Sequence, residues 1–123
     1  MFGRGGEVKT GGRSLAYFIA HEVTRAMTAD HTGRWQYRKL AAFQTEGYAD
    51  YVAFARRLDL ASERVALVRD APEMSPQRSG LYRRYELLTA YLLERRGMNV
   101  DALLAAPLDR HEVEAQLLTD SDL

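Results

Sequence analysis

The sequence predicts an all-α fold, a compact domain of several helices, and three observations support this prediction. Apolar residues recur at intervals of three and four over long segments, which is the spacing of helices that face a core. No segment alternates between apolar and polar residues as a half-buried strand does. The 123 residues are enough for one domain with one modest core.

The chain divides into a glycine-rich beginning and a helical domain. Residues 1–13 hold five of the nine glycines, which predicts a flexible segment with at most a minor strand near residues 7–9. Residues 14–123 are predicted to form the helical domain. Its first helix begins at Ser14 and ends near Met27, and we expect one apolar face of this helix to point into the core: Leu15, Phe18, Ile19, Val23 and Ala26.

The second predicted helix has the clearest apolar stripe, which is typical of a helix packed on a core. The stripe consists of Leu40, Phe43, Gly47, Tyr51, Phe54 and Leu58. Further helices are predicted over residues 61–69, 76–96, 99–105 and 109–118, and the longest of them is expected to end at Gly97.

The composition excludes several classes of function. Seventeen basic and seventeen acidic residues cancel, so no long-range field attracts nucleic acid or an acidic membrane. The absence of cysteine excludes disulfides and thiolate metal sites. No segment has the length of a membrane span or the pattern of a signal peptide, so we expect a soluble chain that is cytoplasmic by default.

Acidic residues on the first two helices are the candidate functional groups. On a helical wheel Glu22 falls inside the apolar face of the first helix, with His21 and Arg25 on its border. A carboxylate there is costly unless it is paired or binds a cation. The alternative is a local salt bridge between Glu22 and Arg25, three residues apart.

Glu46 and Asp50 lie one turn apart on the second helix, where like charges repel each other. A nearby cation would explain why two acids border the apolar stripe. The alternative is a solvated face, because Lys39 and Arg57 lie along the same side.

Together the two helices resemble a known arrangement. The segment HEVTR at residues 21–25 resembles the HExxH motif of zinc peptidases, with arginine in place of the final histidine. The segment EGYADY at residues 46–51 resembles the second-helix motif of the gluzincin clan, to which thermolysin belongs. Residues 85–97 are similar to the helix that follows in short peptidase MA-like domains, so the resemblance covers residues 14–105.

The resemblance implies a fold and a set of residue roles. The chain would be the helical active-site half of a gluzincin, with His21 and Glu46 as zinc ligands. Glu22 would be the general base that takes a proton from zinc-bound water. Asp50 would hydrogen-bond a ligand histidine and orient it.

Arg25 departs from this pattern, because a guanidinium offers only donors and cannot bind a metal. His21 and Glu46 alone are too few ligands for a catalytic zinc. His31 is a poor third ligand, since it lies ten residues beyond His21 on the predicted helix. We therefore expect no cofactor, and we expect Arg25 to bridge Glu22 and Glu46 in place of the metal.

Three functions are compatible with the sequence. The first is a degenerate peptidase-like domain without metal or activity, which binds a protein or peptide through exposed aromatic residues such as Trp35 and Tyr37. The second is an active zinc-dependent hydrolase with an unusual third ligand such as His31. The third is an unrelated helical interaction domain. The sequence predicts no substrate and no oligomeric state.

Overall fold

The computed structural model describes residues 14–79 and 82–123, and these residues are mostly helical. No strand occurs among them, which confirms the all-α prediction. The predicted flexible segment 1–13, with its minor strand, lies outside the described residues. The helices are α1 (Leu15–Thr32), α2 (Arg34–Lys39), α3 (Ala42–Phe54), α4 (Leu60–Val68), α5 (Pro76–Ser79), α6 (Arg83–Ala90), α7 (Val100–Leu103) and α8 (Arg110–Thr119).

Helix α1 begins and ends at residues that the sequence identifies. The side chain of Ser14 accepts a hydrogen bond from the backbone N–H of Tyr17 at 3.1 Å, which caps the first turn. The helix ends before Gly33, whose φ of 93° suits glycine better than any other residue. Thr32 and Gly33 predict a break in the sequence, and the structure has one there, although the helix runs five residues beyond Met27.

Helix α3 lies at the centre of the fold, packed against α6 on one side and α1 on the other. Gly47 allows the close approach to α6, because a Cβ atom there would lie 2.6 Å from Oγ1 of Thr89 and closer still to the carbonyl oxygen of Tyr85. Phe43 is buried one turn earlier on the same face, as its stripe predicts. The core around these helices consists of Leu40, Phe43, Leu58, Met74, Leu87, Leu88, Ala90, Tyr91, Leu92, Leu103, Leu104, Val113 and Leu117.

The long helix predicted over residues 76–96 is interrupted in the structure. Tyr82 has φ −100° and ψ 39°, outside the helical region, and α6 begins only at Arg83. The backbone N–H of Tyr82 instead donates a hydrogen bond to Oδ2 of Asp50 at 3.3 Å, which replaces a helical partner. After Ala90 the helix continues as a π-helical turn (Tyr91–Arg95) and stops before Gly97, as predicted.

Gln44 connects α3 to the C-terminal third of the chain. Its side chain is fully buried, and its Nε2 donates to the carbonyl oxygens of Leu103 and Ala106 at 2.7 and 2.9 Å. Its Oε1 accepts from the backbone N–H groups of Ala41 and Leu108 at 2.9 and 3.0 Å. All the hydrogen-bonding capacity of this amide is used, so it fixes the segment between α7 and α8.

Ion pairs join α6 to its neighbours. Arg56 forms two hydrogen bonds to the fully buried Glu86, at 2.6 and 3.1 Å. Burial raises the pKa of Glu86, and the charge and hydrogen bonds of Arg56 oppose that rise. Arg83 pairs in the same two-pronged way with Glu63 of α4, at 2.5 and 2.7 Å. These contacts orient the α6 surface on which α3 packs.

The inward face of α1 differs from the predicted one, of whose five residues only Phe18 is half-buried. Ile19 and Met27 are 57% and 67% exposed, and Leu15 and Val23 are also exposed. The buried residues are Tyr17, His21 and Thr28. Polar contacts determine this orientation, because Tyr17 and His21 both hydrogen-bond to Asp50 of α3, whereas the wheel considered apolarity alone.

Glu22 is consequently not in the core, which corrects the expectation of a buried carboxylate. Its side chain is 63% exposed at the edge of the α1–α3 contact. Among the described helices, none is long and apolar enough to cross a membrane.

Candidate functional site

His21 lies between two carboxylates of α3. Its Nδ1 is 2.6 Å from Oδ1 of Asp50, and its Nε2 is 3.0 Å from Oε2 of Glu46. Glu46 and Asp50 are one turn apart on α3, so both can reach the single imidazole from one helix face. His21 and Asp50 are buried, and Glu46 is nearly so.

Asp50 is held in place by two further contacts. The hydroxyl of Tyr17 donates to Oδ1, and the backbone N–H of Tyr82 donates to Oδ2. The ring of Tyr82 stacks on the ring of His21, with 5.9 Å between centroids. A fully buried carboxylate with this many donors keeps one orientation, so Asp50 positions the imidazole.

The two carboxylates favour a protonated His21. Burial by itself lowers the pKa of this histidine, but the hydrogen bonds to Asp50 and Glu46, together with their charges, raise it to about 9. His21 is therefore a cation at neutral pH, with a proton on each ring nitrogen. An imidazolium has no lone pair to offer a metal ion.

Arg25 approaches the other side of Glu46. Its Nε lies 3.0 Å from Oε1 of Glu46, and its guanidinium also reaches Oε1 of Glu22 at 3.4 Å. The Arg25–Glu46 contact is an ion pair whose angle falls outside that of a hydrogen bond. Arg25 thus contacts both acids that the sequence predicts it to bridge, although Glu22 is exposed.

Tyr37 of α2 lies beside this ion pair. Its hydroxyl is buried and does not reach hydrogen-bond geometry with any described residue. The proximity of this hydroxyl raises the pKa of the Arg25 guanidinium, the charges of Glu46 and Glu22 add to the rise, and burial opposes it. The guanidinium stays charged between α1, α2 and α3.

These residues do not fit a zinc ion. Both ring nitrogens of His21 are engaged by carboxylates, and Arg25 stands where a second histidine ligand is needed. Within residues 14–79 and 82–123, no group of three histidine, cysteine, aspartate or glutamate side chains could hold a metal. His31 cannot complete the set, because α1 is unbroken and places it about 15 Å further along the axis.

The structure brings together most of the predicted site. His21, Arg25, Glu46 and Asp50 form one contiguous cluster, and Glu22 contacts it from the exposed edge. The two aromatic residues predicted to bind a partner differ in their exposure. Trp35 is 77% exposed, whereas the hydroxyl of Tyr37 is buried beside the cluster.

Two residues of the cluster were not predicted. Tyr17 lies one turn before His21 on α1, so the spacing of four residues was a usable signal for a shared face. Because the apolar face was expected to point inward, Tyr17 was not among the predicted site residues. Tyr82 binds Asp50 through its backbone, for which the sequence carries no signal.

Comparisons with protein-family models, with curated proteins and with solved structures found no match to this chain. The resemblance to gluzincins therefore rests on sequence motifs alone, at residues 21–25, 46–51 and 85–97.

Proposed function

We propose that this chain is a metal-free, non-catalytic gluzincin-like domain that acts by binding another protein or a peptide. The observation that carries the proposal is the position of two cationic side chains on one carboxylate. Glu46 contacts His21 through one oxygen and Arg25 through the other. In the gluzincin pattern the residue at this position would bind zinc.

Charge balance supports this interpretation. A zinc ion would bring two positive charges to the carboxylates of this cluster. The protonated His21 and the guanidinium of Arg25 bring the same charge from side chains alone. The acids are thereby neutralised without a metal, and a metal would have to displace both a proton and an ion pair.

Hydrolysis is not expected from this arrangement. A guanidinium is not a Lewis acid, so unlike zinc it cannot lower the pKa of a bound water toward neutrality. Glu22, the candidate general base, is largely exposed and paired with Arg25 instead of facing an enclosed site. The cluster can stabilise the α1–α3 contact, but it lacks the means to activate a nucleophile.

A binding role has separate support from the surface of α1 and α2. Ile19 and Val23 of α1 and Trp35 of α2 are all exposed. Large apolar side chains concentrated on one part of a small domain are typical of an interaction surface. This surface would serve a binding domain whether or not the cluster descends from a peptidase.

The test is elemental analysis for zinc on protein purified without chelator or metal-affinity tag, beside the Arg25→His variant. We expect no zinc in the unaltered protein and uptake near one equivalent in Arg25→His, which restores the missing ligand. Arg57→His, an exposed position beyond the end of α3, is the control for adventitious binding. Zinc near one equivalent in the unaltered protein would overturn the proposal. Zinc in neither protein would contradict the relation to gluzincins but leave the metal-free domain intact.

A further inference from the structure

A cavity between α1 and α2 lies next to the exposed apolar face of α1. Its volume is about 480 Å³, and the small side chains of Ala26 and Ala29 on α1 leave room for a ligand. The residues that line it are Ala26, Ala29, Asp30, Arg34, Tyr37 and Arg38. Tyr37 connects this cavity to the Arg25 cluster, while Ala26 connects it to the face that carries Ile19 and Val23.

The charges around the cavity are unbalanced. Helix α2 carries Arg34, Arg38 and Lys39 and no acidic residue. None of these three cations forms an ion pair with any residue in the described part of the chain, and Asp30 is the only acid that lines the cavity. Arg34 and Arg38 are one turn apart, so both guanidinium groups border the same opening.

Trp35 adds an aromatic surface beside these arginines. It is the only tryptophan of the chain, and the guanidinium of Arg38 lies 5.8 Å from its ring centroid. Tryptophan and arginine are the residues that most often dominate the binding energy of protein interfaces. The α1–α2 surface, defined as Ile19, Val23, Arg34, Trp35 and Arg38, therefore combines apolar area with unpaired positive charge.

We infer that the α1–α2 surface binds an acidic segment of a protein partner, one that carries carboxylates beside aliphatic side chains. This inference rests on the proposed binding function and names its ligand class. The planar guanidinium groups of Arg34 and Arg38 can each receive a carboxylate through two hydrogen bonds. The aliphatic residues of α1 bury the apolar side chains of the same segment.

The aliphatic residues also favour a peptide over a nucleic acid. Surfaces that bind single strands stack bases on several aromatic rings along a groove of many cations. This surface and its cavity offer two rings, Trp35 and the half-buried Tyr37, and the neighbouring residues on α1 are aliphatic. The net charge of zero gives no wider attraction for a phosphate backbone.

The experiment is a titration of Trp35 fluorescence with a short capped peptide of leucine and glutamate, confirmed by calorimetry. The same peptide with glutamine in place of glutamate is the control ligand. We expect saturable binding of the acidic peptide, weakened roughly tenfold or more by the glutamine exchange. The double variant Arg34→Gln with Arg38→Gln should show the same loss.

The matched control variant is Arg57→Gln with Arg69→Gln, which removes the same charge from exposed positions away from the cavity. It should keep the affinity of the unaltered protein. Equal affinity for both peptides, no binding of either, or undiminished binding by Arg34→Gln with Arg38→Gln overturns the inference. Tighter binding of oligothymidylate than of the acidic peptide overturns it in favour of a nucleic acid. None of these results alters the zinc content, which tests the metal-free domain independently.

Discussion

The Nε atom of Arg25 lies 3.0 Å from Oε1 of Glu46. The residue that interrupts the HExxH-like segment on α1 thus pairs with the acid on α3 that would complete a zinc site. The second oxygen of the same carboxylate contacts His21. Because one glutamate receives two cations, the α1–α3 contact is stabilised by charge at a point where the gluzincin pattern has a metal.

The first prediction concerns the strength of this ion pair. Replacing Arg25 with alanine should lower the free energy of unfolding by about 1 kcal/mol, measured by urea denaturation. The loss is modest because Arg25 is 40% exposed and because His21 remains beside Glu46. The sequence alone suggests a larger loss, since it places Glu22 in the core.

The control for this prediction is Glu22→Ala. Its effect should be close to zero, because Glu22 is exposed and its contact with Arg25 is long. If Arg25→Ala lowered the free energy of unfolding by more than about 3 kcal/mol, Glu46 would behave as a buried acid that has lost its partner. Unchanged stability would mean that the Arg25–Glu46 contact contributes nothing.

The helices and the cluster could be predicted from the sequence because both depend on local spacing. The stripe through Phe43 and Gly47 predicted the buried face of α3, and Gly33 and Gly97 marked helix ends through their backbone freedom. The grouping of His21 with Arg25 follows from one helical turn. Their contact with Glu46 was expected only through the resemblance.

The orientation of α1 could not be predicted from its own residues. Apolarity favours burial of Ile19 and Val23, but hydrogen bonds from Tyr17 and His21 to Asp50 direct the other face inward. Those bonds depend on a partner on a different helix. The same holds for Gln44, whose hydrogen-bond partners at Leu103 and beyond lie 59 or more residues away in sequence.

The second prediction concerns the closeness of α3 and α6. Glycine to alanine in the middle of a helix ordinarily adds up to about 1 kcal/mol of stability. Gly47→Ala should do the opposite and lower the free energy of unfolding by roughly 1–3 kcal/mol or more, because the new methyl group meets the backbone of Tyr85. Thermal or urea unfolding measures the sign directly.

A matched control lies on the same helix. Ala53→Gly, in a partly exposed position of α3, should show only the ordinary propensity loss of about 1 kcal/mol. If Gly47→Ala were stabilising, the separation of α3 from α6 would have to be larger than the structure shows.

The third prediction concerns the buried amide of Gln44. Gln44→Leu should lower the free energy of unfolding by roughly 3 kcal/mol or more, since it leaves backbone groups at Ala41, Leu103 and Leu108 without partners. Hydrogen exchange of the Leu108 amide should become faster in the same variant. Unfolding reports the loss of global stability, and hydrogen exchange reports the part of the fold in which the hydrogen bond is lost.

Gln36→Leu is the control, because Gln36 also donates to this segment, at the carbonyl oxygen of Ala105, but from the surface. Its effect should stay within about 0.5 kcal/mol. Similar effects of the two substitutions would show that burial of the Gln44 amide does not determine its contribution.

The fourth prediction is a loss of stability at alkaline pH caused by His21. Its pKa rises from 6.5 to about 9 on folding, so the folded state binds this proton more tightly than the unfolded state. The resulting stabilisation is fully present below pH 6.5 and is lost as the pH rises through about 9. Urea midpoints of the wild type and of His21→Asn should therefore converge over this interval as the wild type weakens.

His31→Asn is the control, because His31 is an exposed histidine near the end of the same helix. Its urea midpoints should follow those of the wild type across the interval. The cause of the loss is electrostatic, since a neutral imidazole no longer pairs with both Asp50 and Glu46. A constant difference between wild type and His21→Asn from pH 6.5 to about 9 would show that His21 is not protonated between these acids.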